Sequence, residues 1–128
     1  LPYKKAIPAD SSTNIRVKTR ELIDAVDRAS LVINDRLKSP LICRFKDNQI
    51  FLSCITALGS VNEIVEVDMD GRQEEIGFNC RFLLDALRNT ESDEILIELN
   101  GAHAPMKLLP AAGDSFLFLV LPVKIKRV

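Results

Sequence analysis

The segment IRVKTRELIDAV, residues 15–26, has a counterpart in IGFNCRFLLDAL, residues 76–87. In each segment an extended start is followed by apolar residues at helical spacing, so each predicts a strand that leads directly into a helix. Thr19 is the predicted N-cap of the first helix. A constant offset of 61 residues relates the segments, from Ile15 to Ile76. Six matched helix positions and a matched preceding strand indicate two copies of one structural unit.

Three further strands complete each copy. The first helix is predicted to extend from about residue 20 to 34, and the second over 81–89. The predicted strands are 14–18, 41–45, 50–56 and 64–68 in the first copy, and 76–79, 94–99, 105–109 and 115–124 in the second. We therefore predict an α+β fold of two pseudo-symmetric βαβββ repeats, about 14–72 and 73–125. Both helices are expected on one face and antiparallel sheets outside, because this arrangement covers the apolar faces.

Composition excludes several classes of protein. The chain has 128 residues, a formal net charge of −1 and 47% hydrophobic residues, as in a single globular domain. No apolar run approaches the roughly 20 residues of a membrane helix, so no membrane association is expected. The near-neutral charge argues against nucleic-acid binding through a strong basic field. A start without Met suggests a processed chain or an excised piece.

The residues that carry most enzyme chemistry are sparse. The three cysteines, Cys43, Cys54 and Cys80, are widely spaced without a C-x-x-C motif, so we expect no metal site and a reducing cytoplasm. The only histidine, His103, lies in a loop, and one loop histidine does not establish a catalytic relay. The five glycines form no phosphate-binding loop. These features predict a protein that is not an enzyme and has no cofactor.

The polar face of the two predicted helices mixes both signs of charge. Its basic residues are Arg20, Arg28, Arg81 and Arg88. Its acidic residues are Glu21, Asp24, Asp27 and Asp85. Composition alone favours a solvated surface for this face.

Four short motifs, in this order and spacing, carry a family resemblance. They are YKKAIP at 3–8, IGFN at 76–79, FLLDAL at 82–87 and LVLPVK at 119–124. Together they resemble the bacterial DNA sliding clamp, the beta subunit of DNA polymerase III, over nearly the whole chain. The resemblance implies that residues 14–128 form the C-terminal, third domain of a clamp with a DNA-clamp (processivity) fold. Residues 1–13 are then the linker from the preceding domain.

The resemblance implies a function without chemistry. A clamp is a head-to-tail homodimeric ring that encircles duplex DNA without sequence preference and tethers the replicative polymerase. Its helices line the hole, so the resemblance makes Arg20, Arg28, Arg81 and Arg88 the candidate DNA-facing residues. Enclosure does not require a strongly basic chain, which is compatible with the net charge of −1.

The family also captures short peptide motifs of polymerases, the clamp loader and repair proteins in an apolar pocket. The resemblance places the pocket at Lys5, Ala6, Leu37, Asn79, Phe82, His103, Pro105, Leu119, Leu121, Pro122, Val123 and Lys124. Without it, residues 119–123 are best interpreted as the last core strand. Pro122 favours the pocket because proline interrupts a strand and exposes its neighbours.

A subunit interface is the third implied site. In the family this domain meets the first domain of the next subunit, and the matching positions here are Leu31, Val32 and Glu63. Leu31 and Val32 lie partly off the apolar stripe, which suits an interface patch. A broad helix core explains them equally well.

A different class of function remains open from the residues alone. A small-molecule-binding or regulatory α+β domain could have the same pseudo-symmetric layout. The two hypotheses differ in their binding site. A clamp domain should have an open apolar groove at residues 119–124, Phe82 and Pro105, whereas a small-molecule protein should have a closed cavity elsewhere.

Overall fold

Two helices and two five-stranded sheets form the described part of the chain. The computed structural model describes residues 13–31, 40–56, 59–90, 92–101, 103–111 and 117–123. The first repeat contains β1 (Thr13–Lys18), α1 (Thr19–Ala29), β2 (Leu41–Lys46), β3 (Gln49–Thr56), β4 (Gly59–Glu66) and β5 (Asp68–Gly71). The second contains β6 (Glu74–Phe78), α2 (Cys80–Arg88), β7 (Glu94–Leu99), β8 (Met106–Pro110), β9 (Phe118–Val120) and β10 (Pro122–Val123).

The two repeats share their sheets. Sheet A has the strand order β5-β1-β7-β8-β9, and sheet B has the order β10-β6-β2-β3-β4, with antiparallel pairing throughout. The first strand of each repeat therefore pairs with the second strand of the other, as β1 does with β7 and β6 with β2. Two equivalent halves build one fold, which confirms the predicted α+β class with two pseudo-symmetric repeats.

Within the described residues, each repeat has five strands rather than the predicted four, because its last predicted strand is divided. The chain passes from sheet B to sheet A at Val67, between β4 and β5, and from sheet A to sheet B at Leu121, between β9 and β10. The predictions of continuous strands at 64–68 and 115–124 were wrong for this reason. Their apolar patterns continue across a change of sheet, which periodicity does not detect.

The turn between β2 and β3 holds in place the passage of the chain from sheet B to sheet A at Val67. Asp47 and Asn48 have φ of 54° and 57°, as a two-residue hairpin turn with two left-handed positions requires. The Val67 N–H donates to the Asn48 carbonyl at 3.0 Å, and the Met69 N–H donates to Asn48 Oδ1 at 3.0 Å. Asn48 therefore bonds the backbone on both sides of the crossing.

The helices pack together at the internal two-fold axis. The buried helix residues are Thr19, Leu22, Ala25, Val26 and Ala29 in α1, and Cys80, Leu83, Leu84 and Leu87 in α2. On the exposed side of the helices, away from these buried residues, Arg88 Nη2 lies 3.2 Å from Asp27 Oδ1. These two residues are 61 positions apart, which is the repeat offset. Equivalent residues that touch each other must lie close to the symmetry axis. Neither described helix is long and apolar enough to cross a membrane.

The first helix starts without a side-chain cap, so the prediction of Thr19 as N-cap was wrong. Lys18 occupies the N-cap position, and its side chain makes no capping bond. Thr19 is instead the first helical residue, and its N–H donates to the Asp93 carbonyl at 2.9 Å. Its buried Oγ1 has no hydrogen-bond partner in the described part of the chain. A loop of the second repeat thus provides the hydrogen-bond acceptor for the first N–H group of α1.

The first helix also ends earlier than predicted, at Ala29 rather than near Asn34. The Leu31 N–H donates to the Arg28 carbonyl at 3.2 Å, three residues back. The Ser30 Oγ donates to the Asp27 carbonyl at 2.6 Å. A tightened last turn and a side chain that occupies a terminal carbonyl are common at helix ends.

Three free cysteines lie in the core that the sheets and helices enclose. Cys43, Cys54 and Cys80 are all buried. Burial raises the pKa of each thiol, and for Cys80 the pKa reaches about 11. Neighbouring Cys54 and Asp27 contribute to the Cys80 shift because they disfavour a second negative charge. The folded protein therefore retains these protons at pH values where an unfolded chain releases them.

This difference predicts a loss of stability at alkaline pH that depends on Cys80. Above the ordinary thiol pKa of 9.0, the unfolded chain binds fewer protons at Cys80 than the folded chain, so stability falls as pH rises towards 11. When the pH rises from 8 to 10, the free energy of unfolding should fall by about 1 kcal/mol less in Cys80→Ala than in the wild type. Urea denaturation at pH 8 and at pH 10 measures how steeply the free energy of unfolding of each protein depends on pH. Equal slopes for the two proteins would contradict the shift.

Candidate functional site

Large apolar side chains are exposed around the second sheet crossing. Val120 pairs with Met106 in sheet A, and Pro122 pairs with Phe78 in sheet B. Leu121, the residue that connects the two strands, is 70% exposed. Leu119 and Val123, two residues to either side, are also exposed. Leu121 belongs to neither sheet, whereas Leu119 pairs with Lys107 and Val123 with Gly77, and all three apolar side chains remain exposed in the described part of the chain.

The start of α2 adds an aromatic side chain to the same region. Phe82 is 67% exposed in the first turn of α2, and α2 packs against β9. Residue 79 directly follows β6, the strand that pairs with β10. We call Phe82, Leu119, Leu121 and Val123 the crossing patch. Exposed apolar patches of this kind commonly bind other proteins.

Asn79 has a role that the sequence analysis did not identify. Its Oδ1 accepts a hydrogen bond from the Phe82 N–H at 3.1 Å, and its side chain is the N-cap of α2. The signal was present in the sequence, since asparagine directly before an apolar helical repeat is a preferred N-cap.

Strand pairing brings further predicted pocket residues towards the patch. Pro105 directly precedes Met106, whose partner Val120 precedes Leu121. His103 is exposed in the turn before Pro105. The predicted pocket residues that the topology brings to this region are Asn79, Phe82, Pro105, Leu119, Leu121, Pro122 and Val123. Of the other five, His103 is the exposed turn residue, and Lys5, Ala6, Leu37 and Lys124 lie outside the described residues, as does Val32 of the predicted interface.

Among the predicted DNA-facing arginines, Arg28 and Arg88 have acidic partners within the domain. Arg88 pairs with Asp27 across the helices, and Arg28 Nη2 lies 2.9 Å from Glu63 Oε1. The hydrogen bond and charge of Glu63 raise the pKa of Arg28. Arg20 and Arg81 are exposed at equivalent positions of the two repeats. Sequence spacing gave no indication of either ion pair, because the partners lie far apart along the chain.

Of the predicted interface residues, Leu31 lies at one end of α1 and Glu63 on an edge strand. Leu31 is 81% exposed just beyond α1. β4 forms the end of sheet B, and in the described part of the chain only β3 pairs with it. The Arg28–Glu63 ion pair connects α1 to this strand. Leu31 is thus fully available to a partner, whereas Glu63 already has an intramolecular partner.

An open cavity of about 600 Å³ lies at the start of α1. Its lining residues are Lys18, Arg20, Glu21, Ser92, Asp93, Glu94 and Ala111. The lining is mostly charged and the cavity opens to solvent, unlike the closed cavity that a small-molecule-binding domain should have.

Proteins with the same architecture are sliding clamps. A crystal structure of the DNA polymerase sliding clamp from Bacillus subtilis superposes with a TM-score of 0.86 at 31% identity, over 95% of this chain and 33% of that one. A putative DNA polymerase III beta subunit from Eubacterium rectale gives 0.85 at 33% identity, over 96% and 33%. The beta sliding clamp of Staphylococcus aureus is 29% identical over 122 residues, which are 94% of this chain. Sheet pairing and helix packing therefore define a sliding-clamp type of domain.

The sequence gives the more particular assignment. Residues 4–124 match the family described as DNA polymerase III beta subunit, C-terminal domain, and the chain belongs to that family. It spans 32% of the length of the Staphylococcus aureus relative.

Proposed function

We propose that this chain is the C-terminal domain, residues 14–128 with the linker 1–13, of a bacterial DNA sliding clamp. The whole protein is then a non-catalytic processivity factor of the replicative polymerase, active in the cytoplasm as a homodimeric ring. Membership in the family of the beta subunit's C-terminal domain supports this proposal. The relatives named beta sliding clamp are also about three times as long as this chain, as the proposal requires.

The crossing patch is the observation that carries the proposal for partner binding. Its four large apolar side chains are between 39% and 70% exposed, although the chain has a well-buried core elsewhere. Leucine and phenylalanine anchors of a short peptide would cover this surface, and burial of apolar area would provide most of the affinity. We propose that the patch, with His103, Pro105, Pro122, Lys5, Ala6, Leu37 and Lys124, binds such motifs of polymerases, the clamp loader and repair proteins, and that Asn79 supports the start of α2 beside them.

The helix face is the proposed DNA-facing surface. Arg20, Arg28, Arg81 and Arg88 are proposed to face the duplex, with two of them partly neutralised by Glu63 and Asp27. Partial neutralisation suits a ring that moves along DNA, because each arginine held by a phosphate adds to the salt-dependent affinity. Leu31, Val32 and Glu63 are proposed to meet the next subunit of the ring.

Titration with a peptide tests the proposed function directly. We expect a synthetic hexapeptide with leucine and phenylalanine as its large apolar residues to shift the amide NMR signals of Phe82, Leu121 and Val123. A control peptide with alanine at both positions should cause no shifts. A short DNA duplex at low salt should instead shift signals on the polar face of α1 and α2. Peptide-induced shifts confined to other surfaces, such as the cavity at Lys18 and Glu21, would contradict the pocket assignment.

A further inference from the structure

We propose that Asn79 is a positioning residue for peptide binding, which holds the first turn of α2 so that Phe82 forms a fixed wall of the crossing patch. The inference rests on the proposed function. Asn79 is exposed, and its action passes through the backbone of Phe82 rather than through contact with a peptide.

The geometry at the start of α2 fits this role. Asn79 is extended, with φ −73° and ψ 119°, so its side chain and its carbonyl both face the first turn. Oδ1 accepts from the Phe82 N–H at 3.1 Å, and the carbonyl accepts from the Leu83 N–H at 3.0 Å. Leu83 is buried and anchors the helix to the core, whereas Phe82 is 67% exposed. The cap therefore provides local order that packing cannot give to an exposed ring.

The other repeat provides an internal comparison. At the offset of 61 residues, Lys18 corresponds to Asn79 and Glu21 to Phe82. Lys18 makes no side-chain cap, and α1 is secured instead by the bond from Thr19 to the Asp93 carbonyl. Glu21 is an exposed charged residue. The side-chain cap thus occurs only in the repeat that exposes an aromatic residue at this position, although both helices need their first N–H groups satisfied.

The expected effect on affinity follows from the order of the free protein. Without an acceptor at residue 79, the first turn of α2 frays part of the time, and a peptide must restore it before Phe82 can form its wall. The apparent affinity equals the intrinsic affinity multiplied by the fraction of molecules in which this turn is ordered. The usual contribution of an N-cap changes the ratio of frayed to ordered molecules about fivefold, which sets the largest expected loss of affinity at about fivefold.

Three substitutions separate positioning from direct contact. Asn79→Ala removes the acceptor, and we expect binding of the fluorescein-labelled leucine–phenylalanine hexapeptide to weaken by more than about twofold and at most about fivefold by anisotropy. Asn79→Ser and Asn79→Asp keep a capping oxygen but lack the amide donor, so both should bind within about twofold of the wild type. Lys18→Ala is the matched control in the first repeat and should bind as the wild type does. Hydrogen exchange of the Phe82 N–H should accelerate only in Asn79→Ala.

The outcomes distinguish the inference from the proposed function. Failure of the wild-type chain to bind the hexapeptide would overturn the proposed function. If the wild type binds and Asn79→Ala binds equally well, the positioning role is wrong while the proposed function stands. If Asn79→Ser and Asn79→Asp weaken binding as much as Asn79→Ala, the amide contacts the peptide directly and the positioning role is again wrong. Circular dichroism confirms that each variant is folded before the affinities are compared.

Discussion

The Phe78→Ala variant should unfold with a free energy about 3–5 kcal/mol below that of the wild type. Phe78 is completely buried at the end of β6, where it pairs with Leu41 on one side and Pro122 on the other. Loss of the ring removes apolar burial and leaves a cavity beneath the C-terminal crossing, and close packing of the surroundings limits collapse. Urea denaturation, followed by circular dichroism, measures the change at an unaltered m-value.

Phe82→Ala is the matched control, four residues away along the chain. Its ring is mostly exposed, so the same truncation should change the free energy of unfolding by no more than about 0.5 kcal/mol. We expect this variant to lose the hexapeptide-induced shifts at Leu121 and Val123. Comparable destabilisation by the two substitutions would show that Phe82 belongs to the core, and the crossing patch would then lose its aromatic wall.

The repeat could be predicted because its signal is local and duplicated. Residues 15–26 and 76–87 each contain a strand, a sharp boundary and an amphipathic helix, so each provides an independent test of the same pattern. The sharing of sheets could not be predicted in this way. Equivalence at an offset of 61 residues does not indicate whether β1 pairs within its own repeat or with β7, because both arrangements bury the same alternating faces.

The candidate site was predictable only in part, for a related reason. The apolar sequence at 118–123 is compatible with a buried strand, and only its change of sheet at Leu121 exposes the patch. That change depends on pairing with β6, which lies more than 40 residues earlier. The ion pairs of Arg28 and Arg88 likewise depend on tertiary packing. The family resemblance indicated the sites, whereas the residues alone favoured a core strand and a solvated helix face.

If the proposed ring is correct, Leu31→Lys should convert the full-length protein from a dimer to a monomer in sedimentation experiments. Leu31 is 81% exposed beyond α1, so the substitution removes little packing from this domain and the subunit should remain folded. In the proposed ring the same side chain is buried against the next subunit. An unpaired ammonium group buried there costs several kcal/mol, enough to weaken dimerisation by at least about 100-fold.

A second exposed leucine provides the control for charge and for surface substitution in general. Leu117 is 46% exposed and lies outside the proposed interface, so Leu117→Lys should leave the full-length protein dimeric. The Arg28–Glu63 ion pair explains why a substitution of Leu31 tests the interface more specifically than a substitution of Glu63. Glu63 is bonded to Arg28 within the domain, so its replacement would disturb α1 and β4 together and would not isolate the interface. A Leu31→Lys protein that sediments as a stable dimer would remove this end of α1 from the ring contact.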